Sequence, residues 1–535
     1  MTAITWLDRV GNWNPQLLRE FRGRLKPRTL AVAIGASILV QFLLVLFFSQ
    51  QQPNDICTAS RYCWIRDWQT WWLYQFRFIT WGIPYVLFLS GVYSLIADLS
   101  QEERKGTLNF IRLSPRSSMS ILIGKVLGVP ILPYISILLI VPLHLITAAG
   151  GGVSWDFMLS YYLILIATGA CLFSGAILVA FLSNSRLNIG EQSINAILYA
   201  FLTFTVVTPI FFLWNVNTIW SSFGFILVGS KITAQDLPWF YLPIARNSVM
   251  GHTFVLLNLF FVTLGLWQLL ERRFHNPNAT VLSKKQSYVL SAYVELFVVG
   301  FFVRPPIDRF YQENYDLELI FLYVFHLVFF FGIISTLSPN RQSLLDWVRY
   351  SALTKMASRN DADPAMNPPS QQGNSWGYVL RDLVWAEKSP APVAIAINIL
   401  ITHAIVLIWI FTTWTAAISP DYNRAIFILA SQICIILIYA LLIQLILLSK
   451  TRRPEIWAAG TSIALFSLPP IILSILRITP VNAPALWQFL GFPWAVIPFA
   501  SLLDKTLGFL GQIFVISFLS WQLSSKLQRA AKIDG

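Results

Sequence analysis

The chain has 535 residues, of which 56% are hydrophobic and only 12% are charged, and its formal net charge at pH 7 is +13. Soluble domains carry roughly 25% charged residues, so this composition excludes a large soluble protein. The positive charge does not indicate nucleic-acid binding. No basic groove motif accompanies it, and the cytoplasmic loops of membrane proteins are themselves rich in lysine and arginine.

Twelve apolar segments follow one another along the chain, and each is long enough to cross a bilayer as a helix of about 20 residues. They are continuous rather than alternating, which favours helices over a β-barrel. The sequence therefore predicts an all-α polytopic membrane protein. The predicted spans are 29–48, 74–97, 121–147, 157–183, 193–214, 252–271, 287–303, 317–337, 391–417, 424–449, 456–477 and 506–524.

Two further apolar pieces are short or interrupted by proline, at 218–229 with 237–245 and at 485–502. We expect them to be re-entrant or interfacial. Most loops rich in lysine and arginine then fall on one side, which the positive-inside rule assigns to the cytoplasm. Both termini are therefore predicted to be cytoplasmic, and we expect an integral protein of a plasma membrane, the inner membrane of a bacterium, in contact with membrane lipids.

Short motifs recur at a nearly constant offset. The segment LPWFYLP (Leu237–Pro243) returns as FPWAVIP (Phe492–Pro498), an offset of 255, and WQL at Trp267–Leu269 returns at Trp521–Leu523, an offset of 254. Each pair lies at the same place in the order of spans. This agreement predicts an internal duplication rather than the general enrichment of tryptophan at membrane interfaces.

The duplication predicts two domains, a first six-span unit at 1–275 and a second at 276–535, each with a re-entrant piece before its last span. Because six is even, both units have the same orientation and form a parallel repeat. The largest cytoplasmic insertion, 338–390, belongs to the second unit. Apolar residues at helical spacing from Leu344 to Met356 predict an amphipathic helix near its start.

The loop between the second and third spans carries a recognisable motif, EERKGTLNFIRLSPRSSMSILIGK. It resembles the signature of type-2 ABC exporter permeases, which has an acid, Gly-Thr-Leu, an apolar stretch, Ser/Thr-Pro and then Gly-Lys. The resemblance covers the first unit well, and the second mainly in topology and in its final quarter. The matching residues are Glu103, Gly106, Thr107, Leu108, Ser114, Pro115, Gly124 and Lys125.

The resemblance implies that this loop forms a coupling helix, which docks in a groove of a separate ATPase subunit. The residues are compatible with that role, because Gly106 can end the helix leaving the second span. Leu108 and Ile111, three residues apart, can present one apolar ridge, and Ser114-Pro115 would cap and start the next helix. The predicted docking residues are Glu102, Glu103, Arg104, Lys105, Gly106, Thr107, Leu108 and Ile111.

A second candidate docking loop, GYVLRDLVWAEKSP (Gly377–Pro390), precedes the third span of the second unit. Its Ser-Pro matches that of the first loop, although it lacks Gly-Thr-Leu. Its predicted docking residues are Arg381, Asp382, Glu387 and Lys388.

The chain contains no G-x-x-x-x-G-K-[ST] sequence and so has no phosphate-binding loop of its own. We therefore expect a transport subunit rather than an enzyme. It would bind no cofactor itself, and separate ABC ATPase subunits would use the ATP.

Glu295 lies within an apolar span, where an ionisable group is costly and is by default a functional candidate. It lies near the repeat equivalent of Gln41, which makes both intramembrane polar candidates. His144, His326 and His403 are scattered without metal-ligand spacing, and we expect them to be satisfied polar residues and predict no metal site.

Cys57 and Cys63 bracket part of the first outside loop and form a possible disulfide there.

Three functions remain open at this point. The first is the permease of an ATP-driven exporter. The second is an ion-coupled secondary transporter that uses Glu295, which would also be built from two parallel six-span units. The third is an integral membrane enzyme or assembly scaffold. No sequence feature identifies a substrate.

Overall fold

The computed structural model describes residues 9–51, 55–56, 65–182, 239–244, 248–277, 279–303, 315–360, 375–414, 422–496 and 499–533. Nearly all of these residues are helical. Among them, the strands are a two-residue antiparallel ladder, β1 (Asp55–Ile56) with β2 (Ile65–Arg66). Ten of the described helices are long and apolar enough to cross a membrane. The predicted class, an all-α polytopic membrane protein, is confirmed.

Two compact units make up the chain, Met1–Leu237 with Pro243–Asn278 and Pro238–Leu242 with Ala279–Gly535. The duplication inferred from the sequence stays a prediction. The helices of the first unit are α1 (Pro15–Arg24), α2 (Pro27–Gln50), α3 (Trp68–Arg104), α4 (Thr107–Arg112), α5 (Ser118–Gly128), α6 (Ile131–Gly150), α7 (Trp155–Leu182) and α8 (Ser248–His275). Those of the second are α9 (Lys284–Gly300), α10 (Tyr315–Leu337), α11 (Arg341–Asn360), α12 (Ser375–Trp385), α13 (Pro392–Thr413), α14 (Tyr422–Leu447), α15 (Pro454–Ile475), α16 (Pro484–Phe489), α17 (Pro493–Val496) and α18 (Leu502–Ile533).

The long helix α3 organises the first unit. It begins where the Asp67 carboxylate accepts a hydrogen bond from the backbone N–H of Thr70, 2.9 Å away, which satisfies one of the free donors of the first turn. Its residues Phe88, Val92 and Leu95 repeat at helical spacing and are fully buried. Helix α3 packs against α6 and α7, and α7 packs against α8. The loop that follows α3 therefore begins at one end of this helix bundle.

In the second unit, α9 packs against α13, and α14 packs against α13, α15 and α18. The predicted amphipathic helix is confirmed as α11. Its residue Leu344 is buried in a cluster with Leu441, Leu445, Leu519 and Leu523 from α14 and α18. The insertion 338–390 thus begins with a helix packed on its own unit.

Two predicted spans differ in detail. The span at 121–147 is divided into α5 and α6 by Pro130, because proline has no N–H to continue the hydrogen-bond ladder. The span at 287–303 begins earlier, as the 17-residue helix α9. The predicted re-entrant piece at 485–502 contains α16 and α17, with Gly491 between them at φ 92°. The predicted pieces at 193–214 and 218–229 lie outside the described residues.

Candidate functional site

The motif of the first loop folds as a sharp turn followed by a short helix. Gly106 has φ 72° and ψ 0°, a left-handed conformation that glycine adopts without steric cost, and it separates α3 from α4. The Thr107 hydroxyl donates to the Glu102 carbonyl oxygen over 3.1 Å, which ties α4 to the last turn of α3. The predicted helix end at Gly106 is confirmed.

We expect Gly106→Ala to destabilise the first unit by about 1–2 kcal/mol, because a side chain in the left-handed region clashes with its own backbone. No other atom lies within 4 Å of a Cβ added there, so the cost comes from conformation alone. Thermal unfolding in detergent measures it. Gly106→Asn is the matched control and should cost less, since asparagine tolerates this region. Equal losses in both variants would contradict the conformational explanation.

The structure shows which apolar residues of α4 are buried and which are exposed, and the sequence did not reveal this. Leu108 and Ile111, predicted to form an outward ridge, are buried in the protein, so this prediction is wrong. The outward apolar pair is Phe110 and Leu113, with 80% and 86% of their surfaces exposed. They are also three residues apart, so they lie on the same side of the helical turn.

The buried face of α4 rests against the ends of α7 and α8. The Arg112 guanidinium lies 5.7 Å from the ring centroid of Phe181 and 5.8 Å from that of Phe274, both within cation–π range. Burial lowers the pKa of Arg112 and the nearby Glu103 carboxylate raises it. The group stays charged because an arginine starts far above neutral pH. Arg112 therefore lies with the buried Leu108 and Ile111 on the inner side of α4, away from Phe110 and Leu113.

Glu102 does not face a partner either. Its carboxylate belongs to a buried ion network around Lys125, whose Nζ lies 2.8 Å from Glu102 Oε1, 2.8 Å from Glu20 Oε1 and 2.7 Å from Asp98 Oδ2. The three acids come from α1 and α3, and Lys125 comes from α5. The carboxylate oxygens lie within 4.8 Å of one another, and the ammonium supplies the positive charge that such a group requires.

Two arginines of α1 complete this Lys125 network. Arg19 contacts Glu102 Oε1 at 3.0 Å, and Arg24 contacts both Glu20 and Asp98. Three carboxylates therefore meet three cations, and the network is neutral as a whole. It joins α1, the end of α3 and the start of α5, the elements that flank the candidate docking loop.

This network explains in physical terms why the motif ends in Gly-Lys, at Gly124 and Lys125. A Cβ at Gly124 would lie 2.8 Å from Asn14 Oδ1 and 3.0 Å from the backbone nitrogen of Leu17, so only glycine lets α1 approach this closely. The Asn14 amide also donates to the Ser120 carbonyl oxygen over 2.6 Å. Gly124 therefore permits the contact between α1 and α5, and Lys125 anchors it.

Of the other predicted acidic and basic residues of this loop, Glu103 is half-buried, and burial raises the pKa of its carboxyl. Arg104 and Lys105 are exposed. The prediction that Ser114 and Pro115 cap and start the next helix is wrong. Helix α5 starts at Ser118, and the Ser117 hydroxyl caps it by accepting from the N–H of Ser120 at 3.3 Å. Either serine satisfies the sequence rule for a cap, and the turn after α4 decides which one is used.

The second predicted loop is anchored differently. Arg381 and Asp382 lie on α12, and Glu387 and Lys388 follow it in a turn. Ser389 and Pro390 are buried, and α13 starts only at Pro392. The buried Lys284 ammonium donates to the Leu383 carbonyl and the Ser389 hydroxyl, each over 2.6 Å. This segment is therefore fixed to the start of α9.

Glu295 is fully buried and has a partner that the sequence spacing did not indicate. Its Oε2 lies 2.8 Å from Nε2 of His326 on α10, and His326 Nδ1 lies 3.1 Å from Oε1 of Gln432 on α14. The Gln432 amide donates to the Tyr323 carbonyl over 2.9 Å, so its carbonyl oxygen faces His326. The His403 ring lies 5.6 Å away.

The hydrogen bonds of the Glu295–His326 pair account for both ring nitrogens. The Gln432 carbonyl oxygen faces His326 Nδ1, and Glu295 Oε2 lies within hydrogen-bonding distance of Nε2. Glu295 Oε1 is buried and has no hydrogen-bond donor among the described residues.

The remaining candidates lie elsewhere. Gln41 donates to the Ser37 hydroxyl over 3.2 Å, within the first unit. His144 is satisfied, because its nitrogens lie 2.9 Å from the Thr80 hydroxyl and 2.8 Å from the Tyr162 hydroxyl. The possible disulfide of Cys57 and Cys63 lies outside the described residues.

Comparison with known protein families, curated proteins and solved structures found no match for this chain. The functional assignment therefore depends on the residues and contacts described above.

Proposed function

We propose that the chain is the membrane-spanning permease subunit of an ATP-binding-cassette transporter, an exporter driven by separate ATPase subunits. The observation that carries this proposal is the exposed pair Phe110 and Leu113 on α4. Large apolar side chains displayed together on a charged loop favour an interaction site, because water does not stabilise them there. The exposed basic residues Lys105 and Arg116 flank the pair along the chain and can orient a partner.

The Lys125 network supports a mechanical role for this loop. A force on α4 passes through the turn at Gly106 into the end of α3, and the buried ion pairs join that end to α1 and α5. Buried charges in good geometry resist separation, because an unpaired charge in an apolar surrounding is costly. Movement of an ATPase against Phe110 and Leu113 would thus displace three helices together.

The proposal includes two parallel six-span units that alternate between inward- and outward-facing states. The chain would lie in a bacterial plasma membrane, with both termini in the cytoplasm. Equivalent pairings support the duplication. The first apolar helix packs on the third span in each unit, as α2 on α6 and α9 on α13, and α7 on α8 corresponds to α14 on α18. Each unit would receive one ATPase.

Purification of the intact chain in mild detergent tests the proposal. We expect an ATPase with a phosphate-binding loop to co-purify at two copies per chain, and the reconstituted complex to hydrolyse ATP. Mass spectrometry identifies the subunit, and vanadate inhibition checks the hydrolysis. Purification of the intact chain without any ATP-binding-cassette subunit, from its own membrane, would contradict the proposal.

A second candidate is the ion-coupled secondary transporter, which the buried Glu295–His326 pair favours. A buried acid in contact with a histidine inside the membrane domain is the kind of site that proton coupling needs. The two candidates differ in energy source. In membrane vesicles, a protonophore would abolish transport by an ion-coupled carrier at constant ATP, whereas the ATP-driven permease would keep its transport.

Under our proposal the Glu295–His326 pair is structural, and this makes a prediction about stability. Glu295→Gln should be nearly neutral, because the amide can donate to Nε2 of His326. Glu295→Leu should cost about 1–3 kcal/mol, because it leaves that nitrogen buried without a partner. Thermal unfolding of both variants in detergent gives the comparison. Transport that fails in Glu295→Gln while its stability is unchanged would favour the ion-coupled carrier.

A further inference from the structure

Helix α4 occupies a defined place in the order of the first unit. It follows the second predicted span directly, and its buried side meets the ends of the fourth span, α7, and of the last helix, α8, through Phe181 and Phe274. If the second unit has an equivalent surface, it should follow α10 and lie against the ends of α14 and α18.

Helix α11 meets both conditions. Three residues separate it from the end of α10, and it packs against α18. Its buried residue Leu344 contacts a cluster that includes Leu448, just after α14, and Leu523 of α18. The connection from α10 is itself held to α14, because the Gln444 amide contacts the Pro339 carbonyl at 3.5 Å.

Helix α12, which carries half of the second predicted docking loop, occupies a different place. It packs on α9 and α13, the first and third spans of its unit. The Tyr288 hydroxyl donates to the Val384 carbonyl over 2.8 Å, and Lys285 Nζ lies 5.6 Å from the Trp385 ring centroid. No described contact of this kind links α4 to the first span of the first unit.

The numbers of charged residues also distinguish α11 from residues 377–390. The α4 segment, Lys105–Arg116, contains three basic residues and no acidic residue. Helix α11 contains four basic residues and one acidic residue, whereas Gly377–Pro390 contains two of each. A partner surface that presents acidic groups to α4 would therefore also fit α11, and would gain nothing from 377–390.

We propose that α11, rather than residues 377–390, is the docking surface of the second unit, and that its occupant is a second copy of the ATPase subunit that binds α4. This inference rests on the proposed function. Two copies of one subunit related by a twofold axis present identical surfaces, so each must meet an element at the same place in its own unit. The outward face of α11 carries Gln342, Asp346 and Tyr350, all exposed and spaced four residues apart.

Site-specific photocrosslinking in the full-length chain, co-expressed with the ATPase that co-purifies with it, tests this assignment. A photoreactive residue is placed in turn at Phe110, Asp346 and Leu380. Leu380 on α12 is an exposed control that precedes the predicted loop residue Arg381. We expect crosslinks to the ATPase from Phe110 and Asp346, each at least about tenfold stronger than from Leu380, because crosslinking requires a position inside the interface.

The outcomes separate the two proposals. Crosslinks from Phe110 and Leu380 with none from Asp346, or equal yields from Asp346 and Leu380, would overturn the assignment of α11 and leave the permease function in place. Absence of any ATPase crosslink from all three positions, in a chain that folds and inserts normally, would overturn both. Crosslinks from Phe110 and Asp346 alone would support both.

Discussion

Lys125→Met is expected to destabilise the first unit by about 3–5 kcal/mol, because it leaves three carboxylates, two of them buried, with two cations. The methionine fits the space of the lysine stem, so the loss measures charge rather than volume. Of the three acids, Glu20 and Glu102 are themselves buried, and water cannot replace the missing ammonium there. Thermal unfolding in detergent, followed by size-exclusion chromatography, provides the measurement.

Two controls sharpen this result. Lys450→Met removes an exposed lysine and should leave the unfolding temperature nearly unchanged. Adding Asp98→Asn to Lys125→Met should restore part of the lost stability, because Glu20 and Glu102 then remain with one arginine each, Arg24 and Arg19. If the double variant were less stable than Lys125→Met alone, the network would not act through its charge balance.

The second large effect is expected from Phe110→Ala combined with Leu113→Ala. Each side chain should contribute about 1–2 kcal/mol to binding if it fills a pocket in the ATPase. Together the substitutions should weaken the complex by roughly 30- to 1,000-fold. The stability of the chain should not change, because both residues are exposed. The measurement is the dissociation constant between the detergent-purified chain and the separated ATPase.

Matched substitutions distinguish docking from folding. Leu108→Ala on the buried face of the same helix should reduce stability by about 2–5 kcal/mol. Leu138→Ala removes an exposed leucine of α6 and should change neither the stability of the chain nor its affinity for the ATPase. Unchanged ATPase affinity in the Phe110→Ala/Leu113→Ala variant would show that α4 is not the docking helix.

The orientation of α4 shows where sequence reasoning stops. Gly106 could be predicted as a helix end because its conformational freedom is a local property. Leu108, Phe110, Ile111 and Leu113 contain two pairs at a spacing of three, and spacing alone cannot decide which pair faces inward. The inward side of α4 is the one on which Leu108 and Ile111 are buried and Arg112 contacts the ends of α7 and α8, residues that only the fold brings together.

The partners of the buried charged residues could not be predicted from the sequence either. Glu295 could be identified as unusual from its apolar surroundings, but His326 and Gln432 come from two other helices and follow no spacing rule. The acids around Lys125 include Glu20, which is 105 residues away along the chain. The membrane class and the positions of most spans, by contrast, follow from local hydropathy and could be predicted.

The order of residues in the Lys125 network has a consequence for biosynthesis. Glu20, Asp98 and Glu102 all precede Lys125, so the ribosome has already made its three counter-charges when the lysine emerges. The ammonium can therefore be neutralised as soon as α5 reaches the membrane surface. Glu295 faces the opposite situation, because both His326 and Gln432 are synthesised after it. The Glu295–His326 contact can therefore form only after α10 has been synthesised.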